Sequence, residues 1–159
     1  MNAILRVYAT GLWTGFFPVA PGTAGSVLAL AIYCWLPVLP LGADGNLGIG
    51  SLLLVGVLAL LGIPASRRGE EEFGEDGSPI VIDEIIGQWI TVMGLVPTPF
   101  VIIAGFLLFR LLDIFKPFPA GRSQTLPCGL GVMADDVISG LYGAVLLRLL
   151  LRVPGLAGL

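Results

Sequence analysis

Long apolar runs separated by short polar segments dominate the chain and predict a set of hydrophobic helices. Residues 23–41, 47–65 and 136–153 each approach the roughly 20 apolar residues that a helix needs to cross a bilayer. A fourth stretch, 85–112, is interrupted by Val-Pro-Thr-Pro at 96–99. Because proline lacks an amide donor and disfavours helix at the preceding residue, we expect a helical hairpin here, with arms 85–96 and 99–112.

The composition favours a membrane location for these helices. Hydrophobic residues make up 56% of the 159 residues, charged residues 12%, and the mean hydropathy is +0.97. A soluble domain of this size would leave much of that apolar surface in water. We therefore expect an all-α, polytopic membrane bundle of about four to five segments, forming one domain over residues 1–159. A net charge of −3 without a basic stripe argues against a nucleic-acid partner.

Alternation of the spans predicts that the polar motifs share one side of the membrane. With Arg6 inside, the loops at 66–84 and 113–136 are also inside. The basic residues of these loops then follow the positive-inside bias; they are Arg67, Arg68, Lys116 and Arg122. Arg148 and Arg152 fall near the outer end of the last helix, against that bias.

Carboxylates lie where the apolar runs begin or end. Asp83 and Glu84 precede one run, Asp113 ends another, and Asp135 and Asp136 open the last. Ionised groups at the edge of hydrocarbon lose hydration, so they favour a functional interpretation, here a divalent cation held against a phosphate. The alternative for the two pairs is helix capping. Because Mg²⁺ usually takes one or two carboxylates, either two ions bind or some of these acids act as a base or as supporting groups.

Phosphate-binding candidates lie beside these acids. Arg110, Asp113 and Lys116 are three residues apart and share a helix face, so the two cations suit a phosphate bridged to metal. The alternative is an ordinary surface ladder of ion pairs. Thr23 and Ser26 follow a Pro-Gly turn at a helix start, where amides and hydroxyls can hold phosphate oxygens, although a simple helix entry has the same pattern.

Absent residues and motifs narrow the chemistry. The chain has no histidine, which excludes phosphohistidine mechanisms and a histidine general base. It also lacks a P-loop and a Cys-x5-Arg phosphatase loop. Carboxylate and metal chemistry remain. The acidic run Glu70, Glu71 and Glu72 is typical of a solvated flexible loop.

Four segments, APGTAGS, IVIDEIIGQWIT, FRLLDIFKPFP and GVMADDVISGLYG, resemble in order and spacing the bacterial phosphatidylglycerophosphatase A family. The resemblance covers nearly the whole chain. It implies a Mg²⁺-dependent phosphatase of the bacterial inner membrane that converts phosphatidylglycerophosphate to phosphatidylglycerol. The acidic and lysine positions of the family map to Asp83, Glu84, Asp113, Lys116, Asp135 and Asp136. Asp76 also matches an acidic family position, whereas the loop LPCGLGVM departs from the Gly-Gly sequence of many relatives.

We therefore expect Mg²⁺-assisted hydrolysis of a phospholipid phosphomonoester at a multi-pass protein whose site faces the cytosol. The expected metal ligands are Asp83, Glu84, Asp135 and Asp136. Asp113 is expected as a ligand or base and Lys116 as a phosphate clamp, and both a metal-activated water and an aspartyl-phosphate intermediate fit these residues.

Two other functions are weighed against this one. The alternative is a small cation transporter or channel, which would place acids near mid-span rather than at span ends. A lipid phosphotransferase acting on a CDP-activated lipid would need an Asp-Gly-x2-Ala-Arg motif, which the chain lacks.

Overall fold

All regular structure is helical in the computed structural model, which describes residues 1–35, 44–74 and 77–154. Seven α-helices are α1 Ala3–Ala9, α2 Pro21–Trp35, α3 Ile49–Phe73, α4 Ile82–Val92, α5 Pro99–Phe115, α6 Ala120–Ser123 and α7 Leu130–Leu150. A short 3-10 helix, Thr14–Phe16, connects α1 to α2. The described ranges contain no strand, so the all-α prediction is confirmed.

Helix α4 forms the centre of the bundle. It packs against α2, α3, α5 and α7, and every one of its residues except Glu84 is buried. Glycines allow α7 to approach closely, since an added Cβ at Gly140 would lie 2.5 Å from the Gly87 carbonyl oxygen. The indole of Trp89 donates to the Ala29 carbonyl of α2 at 2.8 Å. These contacts fix α4, and with it the two carboxylates at its start.

Alternating helix directions give the bundle two distinct ends. At the site end, the starts of α2, α4 and α7 meet the end of α5. At the distal end, α2 and α7 finish beside the turn that follows α4. There the Tyr33 hydroxyl lies within hydrogen-bond distance of the carbonyl oxygens of Val92, at 2.8 Å, and Leu95, at 2.6 Å. The polar motifs of the sequence are therefore gathered at one end.

Two antiparallel helices occupy the predicted hairpin. Residues 93–98 join α4 to α5, and Gly105 faces Val92 across the pair. The Thr98 side chain caps α5 by accepting from the Val101 amide at 3.2 Å, with Pro99 as the first helical residue. The helix bounds differ from the predicted arms, because α4 covers 82–92 and α5 continues to Phe115.

The prediction of a flexible loop at Glu70, Glu71 and Glu72 is wrong, because α3 continues to Phe73. Arg and Glu are good helix formers, and their spacing here gives pairs one turn apart. Glu71 lies 3.6 Å from Arg67 and 2.7 Å from Arg68. Helix α3 therefore continues beyond the apolar run into a charged segment.

The prediction that Asp135 and Asp136 open the last helix is also wrong. Helix α7 begins at Leu130, and its N-cap is Gly129 with φ 75°. An added Cβ at Gly129 would lie 2.5 Å from the Arg67 amide nitrogen, so this turn requires glycine. Both acids therefore lie in the second turn of α7, where neither caps the helix.

Two helices of the described residues, α3 and α7, are long and apolar enough to cross a bilayer. Helix α2 is apolar but has 15 residues, and the predicted span 23–41 continues beyond the described residues. The predicted four to five membrane segments are thus not established by helix length. The surfaces of α3, α5 and α7 nevertheless expose many large apolar side chains, including Leu53, Ile103 and Val145.

Candidate active site

Three carboxylates form a cluster at the site end of the bundle. Asp83 and Glu84 of α4 and Asp136 of α7 each present one oxygen, and these oxygens all lie within 4.8 Å of one another. Asp83 and Asp136 are buried, and Glu84 is partly buried. Three like charges this close in a poorly hydrated site repel strongly unless protons or a cation compensate them.

Helix starts and glycine contacts between helices bring the acids together. Asp83 and Glu84 occupy the first turn of α4, as predicted from their position before the apolar run. Gly87 lets α7 approach, because an added Cβ there would lie 2.7 Å from the Asp136 carbonyl oxygen. Gly22, at the start of α2, makes room for Glu84, since an added Cβ would overlap Glu84 Oε1 and lie 3.2 Å from Arg110 Nη1. Two glycines thus permit the close approach of three helices.

Arg110, Asp113 and Lys116 form the predicted ladder along the end of α5. Arg110 Nη1 donates to Asp113 Oδ2 at 2.6 Å, and Lys116 Nζ lies 4.0 Å from Asp113 Oδ1. All three side chains are at least three-quarters buried, so this is not a solvated surface ladder. Among the described residues, Arg110 Nε has no hydrogen-bond partner. A buried guanidinium with a spare donor suits an anionic ligand.

Lys116 connects this ladder to α7 through a hydrogen-bonded ion pair with Asp135. Partial burial lowers the pKa of Lys116, but the hydrogen bond to Asp135 and the charges of Asp135, Asp136 and Asp113 outweigh it. The net pKa lies above its ordinary value, so the ammonium stays charged. Lys116 also adopts the left-handed conformation, φ 44° and ψ 62°, which costs on the order of 1 kcal/mol for a non-glycine residue. Lys116 is the C-cap of α5, and its amide donates to the Leu112 carbonyl in this conformation.

The other predicted residues are placed as follows. Asp135 is on the Lys116 side of α7, and its Oδ1 accepts from the Asp136 amide at 3.0 Å. The buried Ser26 hydroxyl donates to the Gly22 carbonyl at 3.0 Å, within its own helix. Thr23 is partly exposed near the start of α2. Asp76 lies outside the described residues.

Two buried polar residues escaped the sequence analysis. Both amide atoms of Gln88 and the Ser139 hydroxyl are buried without hydrogen-bond partners among the described residues. Gln88 is four residues after Glu84 and Ser139 three after Asp136, so each lies one turn deeper along its helix. Unpaired buried polar groups are costly, which favours a bound ligand or water. The sequence signal that could have identified these two residues is their position three or four residues after an acid of the cluster.

The acidic cluster fits a divalent cation. Asp83 Oδ1, Glu84 Oε2 and Asp136 Oδ2 are buried and accept no hydrogen bond within the described part of the chain. Hard oxygen donors of this kind are the ligands that Mg²⁺ and similar cations prefer. One cation at this position would reduce the charge repulsion and would use these oxygens as ligands.

A cavity of about 740 Å³ at the end of α3 is not lined by these acids. It is bordered by the end of α3, including Arg67 and Glu71, and by residues 124–128. The arrangement of charge, rather than cavity size, therefore identifies the site.

Buried carboxylates facing an arginine and a lysine are typical of hydrolases that process phosphate esters with a metal ion. Comparison with known proteins gives the same class. The profile of the family phosphatidylglycerophosphatase A matches residues 7–151, and the chain belongs to this family. The protein is a phosphatase. The family assignment does not support the cation transporter or channel.

Three bacterial relatives span most of the chain. A Bacteroides thetaiotaomicron protein, provisionally named as a phosphatidylinositol-3-phosphatase, is 37% identical over 92% of this chain and 92% of its own length. The Escherichia coli and Haemophilus influenzae proteins named phosphatidylglycerophosphatase A are each 32% identical over 89% of this chain, covering 80% and 85% of their own lengths. No solved structure matches the chain.

Proposed function

We propose that the protein is a Mg²⁺-dependent lipid phosphatase that hydrolyses the terminal phosphomonoester of phosphatidylglycerophosphate to phosphatidylglycerol and phosphate. The observation that carries this proposal is the buried cluster of Asp83, Glu84 and Asp136, with unused oxygens beside Arg110. The names of the Escherichia coli and Haemophilus influenzae relatives support the choice of lipid.

Asp83, Glu84 and Asp136 would hold the cation, each through one oxygen. A bound Mg²⁺ would neutralise charge on the phosphoryl group and lower the pKa of a water. The protein contributes three carboxylates already gathered by helix packing and shielded from bulk water, so little reorganisation is needed during the reaction.

Arg110 and Lys116 would bind the phosphate oxygens. Asp113 lies between them, 2.6 Å from Arg110 and 4.0 Å from Lys116, and would orient both cations. Asp135 was expected to be a metal ligand, but its ion pair with Lys116 favours a positioning role. Thr23 would still contact the phosphate. The Ser26 hydroxyl donates to a carbonyl within α2, which disfavours the phosphate contact expected for it.

The proposed location is the bacterial inner membrane, crossed several times, with the site end facing the cytosol. The exposed apolar surfaces of α3, α5 and α7 support the membrane environment. Cys128 lies at the site end and Asn46 in the loop before α3, beside the distal end. In cells, an impermeant thiol reagent should reach Cys128 only from the cytosol and a cysteine at Asn46→Cys only from outside, each in a background without other cysteines. Labelling of both from one face would contradict this topology.

The activity is tested by phosphate release from purified protein on phosphatidylglycerophosphate. EDTA should abolish release and Mg²⁺ should restore it, because the acids alone repel a phosphate dianion. Asp136→Asn, purified in parallel, controls for contaminating phosphatase. Full turnover in excess chelator would reject the metal mechanism.

A second substrate is favoured by one observation, the name of the Bacteroides thetaiotaomicron relative. Phosphatidylinositol-3-phosphate also carries a phosphomonoester on a lipid headgroup, so the same charged residues would suit it. We expect a higher kcat/KM for phosphatidylglycerophosphate when both lipids are assayed in the same detergent. The reverse order would assign the inositol lipid as substrate and leave the site assignment intact.

A further inference from the structure

An apolar groove of about 400 Å³ lies between α2 and α5 on the outside of the bundle. Its lining includes Val27, Ala31 and Cys34 of α2 and Ile103, Phe106 and Leu107 of α5. The exposed fractions of Val27, Ile103 and Leu107 are 53%, 61% and 52%. The groove is therefore open to the surroundings of the bundle.

The groove begins close to the charged site. Helix α2 starts at the site end, where Gly22 abuts Glu84 and Arg110, and Val27 follows about 8 Å further along the helix axis. On α5, Leu107 precedes Arg110 by three residues, about one helical turn. Both walls of the groove thus lead from the phosphate-binding residues toward the distal end.

The length of the groove suits a lipid chain within one leaflet. Val27 and Cys34 are separated by seven residues, or about 10 Å of helix. Half of a hydrocarbon core is about 15 Å thick. A phosphate at Arg110 and a chain directed along the groove therefore fit one phospholipid molecule.

We propose that this groove binds one acyl chain of the lipid substrate, an inference that rests on the proposed lipid phosphatase activity. Transfer of an acyl chain from the bilayer into the groove releases little hydrophobic free energy, because both environments are apolar. Its benefit is van der Waals packing and orientation, which direct the headgroup phosphate to Arg110 and the carboxylates. The groove would therefore select diacyl lipids over their water-soluble headgroups.

Two valines provide a matched test. Val27 lines the groove and is 53% exposed, whereas Val57 of α3 is 52% exposed and does not line it. Val27→Trp and Val57→Trp are compared on dipalmitoyl and dibutyryl phosphatidylglycerophosphate in detergent. We expect Val27→Trp to lower kcat/KM about tenfold for the dipalmitoyl lipid alone. Val57→Trp should preserve both values.

Several results would contradict acyl-chain binding in the groove. One is an equal loss of kcat/KM on both lipids in Val27→Trp, and another is full retention of the preference for the longer chains in that variant. A third is the absence of any such preference in the unmodified protein. A change in the oligomeric state of Val27→Trp would instead make the groove a contact between copies.

A second measurement tests lipid binding in the groove independently of phosphatase activity. In a Cys128→Ser background, dipalmitoyl phosphatidylglycerol should slow alkylation of Cys34, while glycerophosphoglycerol should not. If the unmodified protein released no phosphate from either lipid, the proposed function would fail, and Cys34 protection would still decide whether the groove holds a chain. Equal alkylation rates with and without the diacyl lipid would reject chain binding.

Discussion

The two ends of the bundle both bury polar groups, but they satisfy them differently. At the distal end, the hydroxyl of Tyr33 lies within hydrogen-bond distance of two carbonyl oxygens and accepts from the Leu95 amide at 3.2 Å. Arg148 donates there to the Met93 carbonyl and to the Ala144 carbonyl. At the site end, oxygens of Asp83, Glu84 and Asp136 have no partner in the described ranges.

This contrast distinguishes structural polar groups from functional ones. The distal contacts supply hydrogen-bond donors to carbonyls at the end of α4 and thereby stabilise the helix end. Asp83, Glu84 and Asp136 each keep one buried oxygen without such a contact in the described ranges, and the mutual repulsion of these three acids opposes folding. Substitutions should therefore affect stability at one end and activity at the other.

The largest effect is expected from Asp136→Asn. Asparagine keeps the shape of the side chain but removes a charge that holds the cation, so phosphate release should fall about a hundredfold to a thousandfold. The denaturation midpoint should be unchanged or higher, because one like charge is lost. Activity within tenfold of the unmodified protein would remove Asp136 from the site.

A loss of about a hundredfold is expected for Lys116→Ala, since the phosphate loses a buried cation. Asp113→Asn provides the companion measurement, because Arg110 and Lys116 would lose the carboxylate between them. Both variants should insert and purify normally. Near-normal kcat/KM in both variants would reject the assignment of Lys116 and Asp113 to the active site and leave them an ion-pair role.

A smaller loss, about tenfold, is expected for Gly22→Ala, because the added methyl group must displace the Glu84 carboxylate. Gly56→Ala of α3 is the control, since an added Cβ there meets no atom within 4 Å. Both changes replace a helical glycine, so neither should lower the midpoint of unfolding. Equal activity of the two variants would show that Glu84 need not occupy this position.

No loss of activity is expected from Arg148→Met at the distal end. The Met93 carbonyl would lose its side-chain donor, and the free energy of unfolding should fall by about 1–2 kcal/mol. Chemical denaturation in detergent measures this change. A large loss of kcat with unchanged stability would contradict the division between the two ends.

Features that depend on neighbouring residues could be predicted from the sequence. The break between α4 and α5 follows from the two prolines at 97 and 99, and the placement of Asp83 and Glu84 follows from the apolar run after them. The spacing of Arg110, Asp113 and Lys116 likewise places them on one helix face. These predictions need no knowledge of the other helices.

Features that depend on packing could not be predicted. Adjacent residues on a helix point about 100° apart, so the rotation of α7 decides which of Asp135 and Asp136 joins the cluster. That rotation is set by the close contact of Gly87 and Gly140. Arg148 was expected to depart from the charge bias of the loops. Its partner, the Met93 carbonyl, belongs to another helix, so the sequence alone could not identify this contact.

Direct titration of Mg²⁺ into the purified protein tests the central claim, that Asp83, Glu84 and Asp136 form one cation site. Calorimetry should show saturable binding to the unmodified protein, and Mg²⁺ should raise its midpoint of thermal unfolding. Asp136→Asn should lose both effects, whereas Arg148→Met should keep them. Saturable binding of equal affinity to Asp136→Asn would contradict the account.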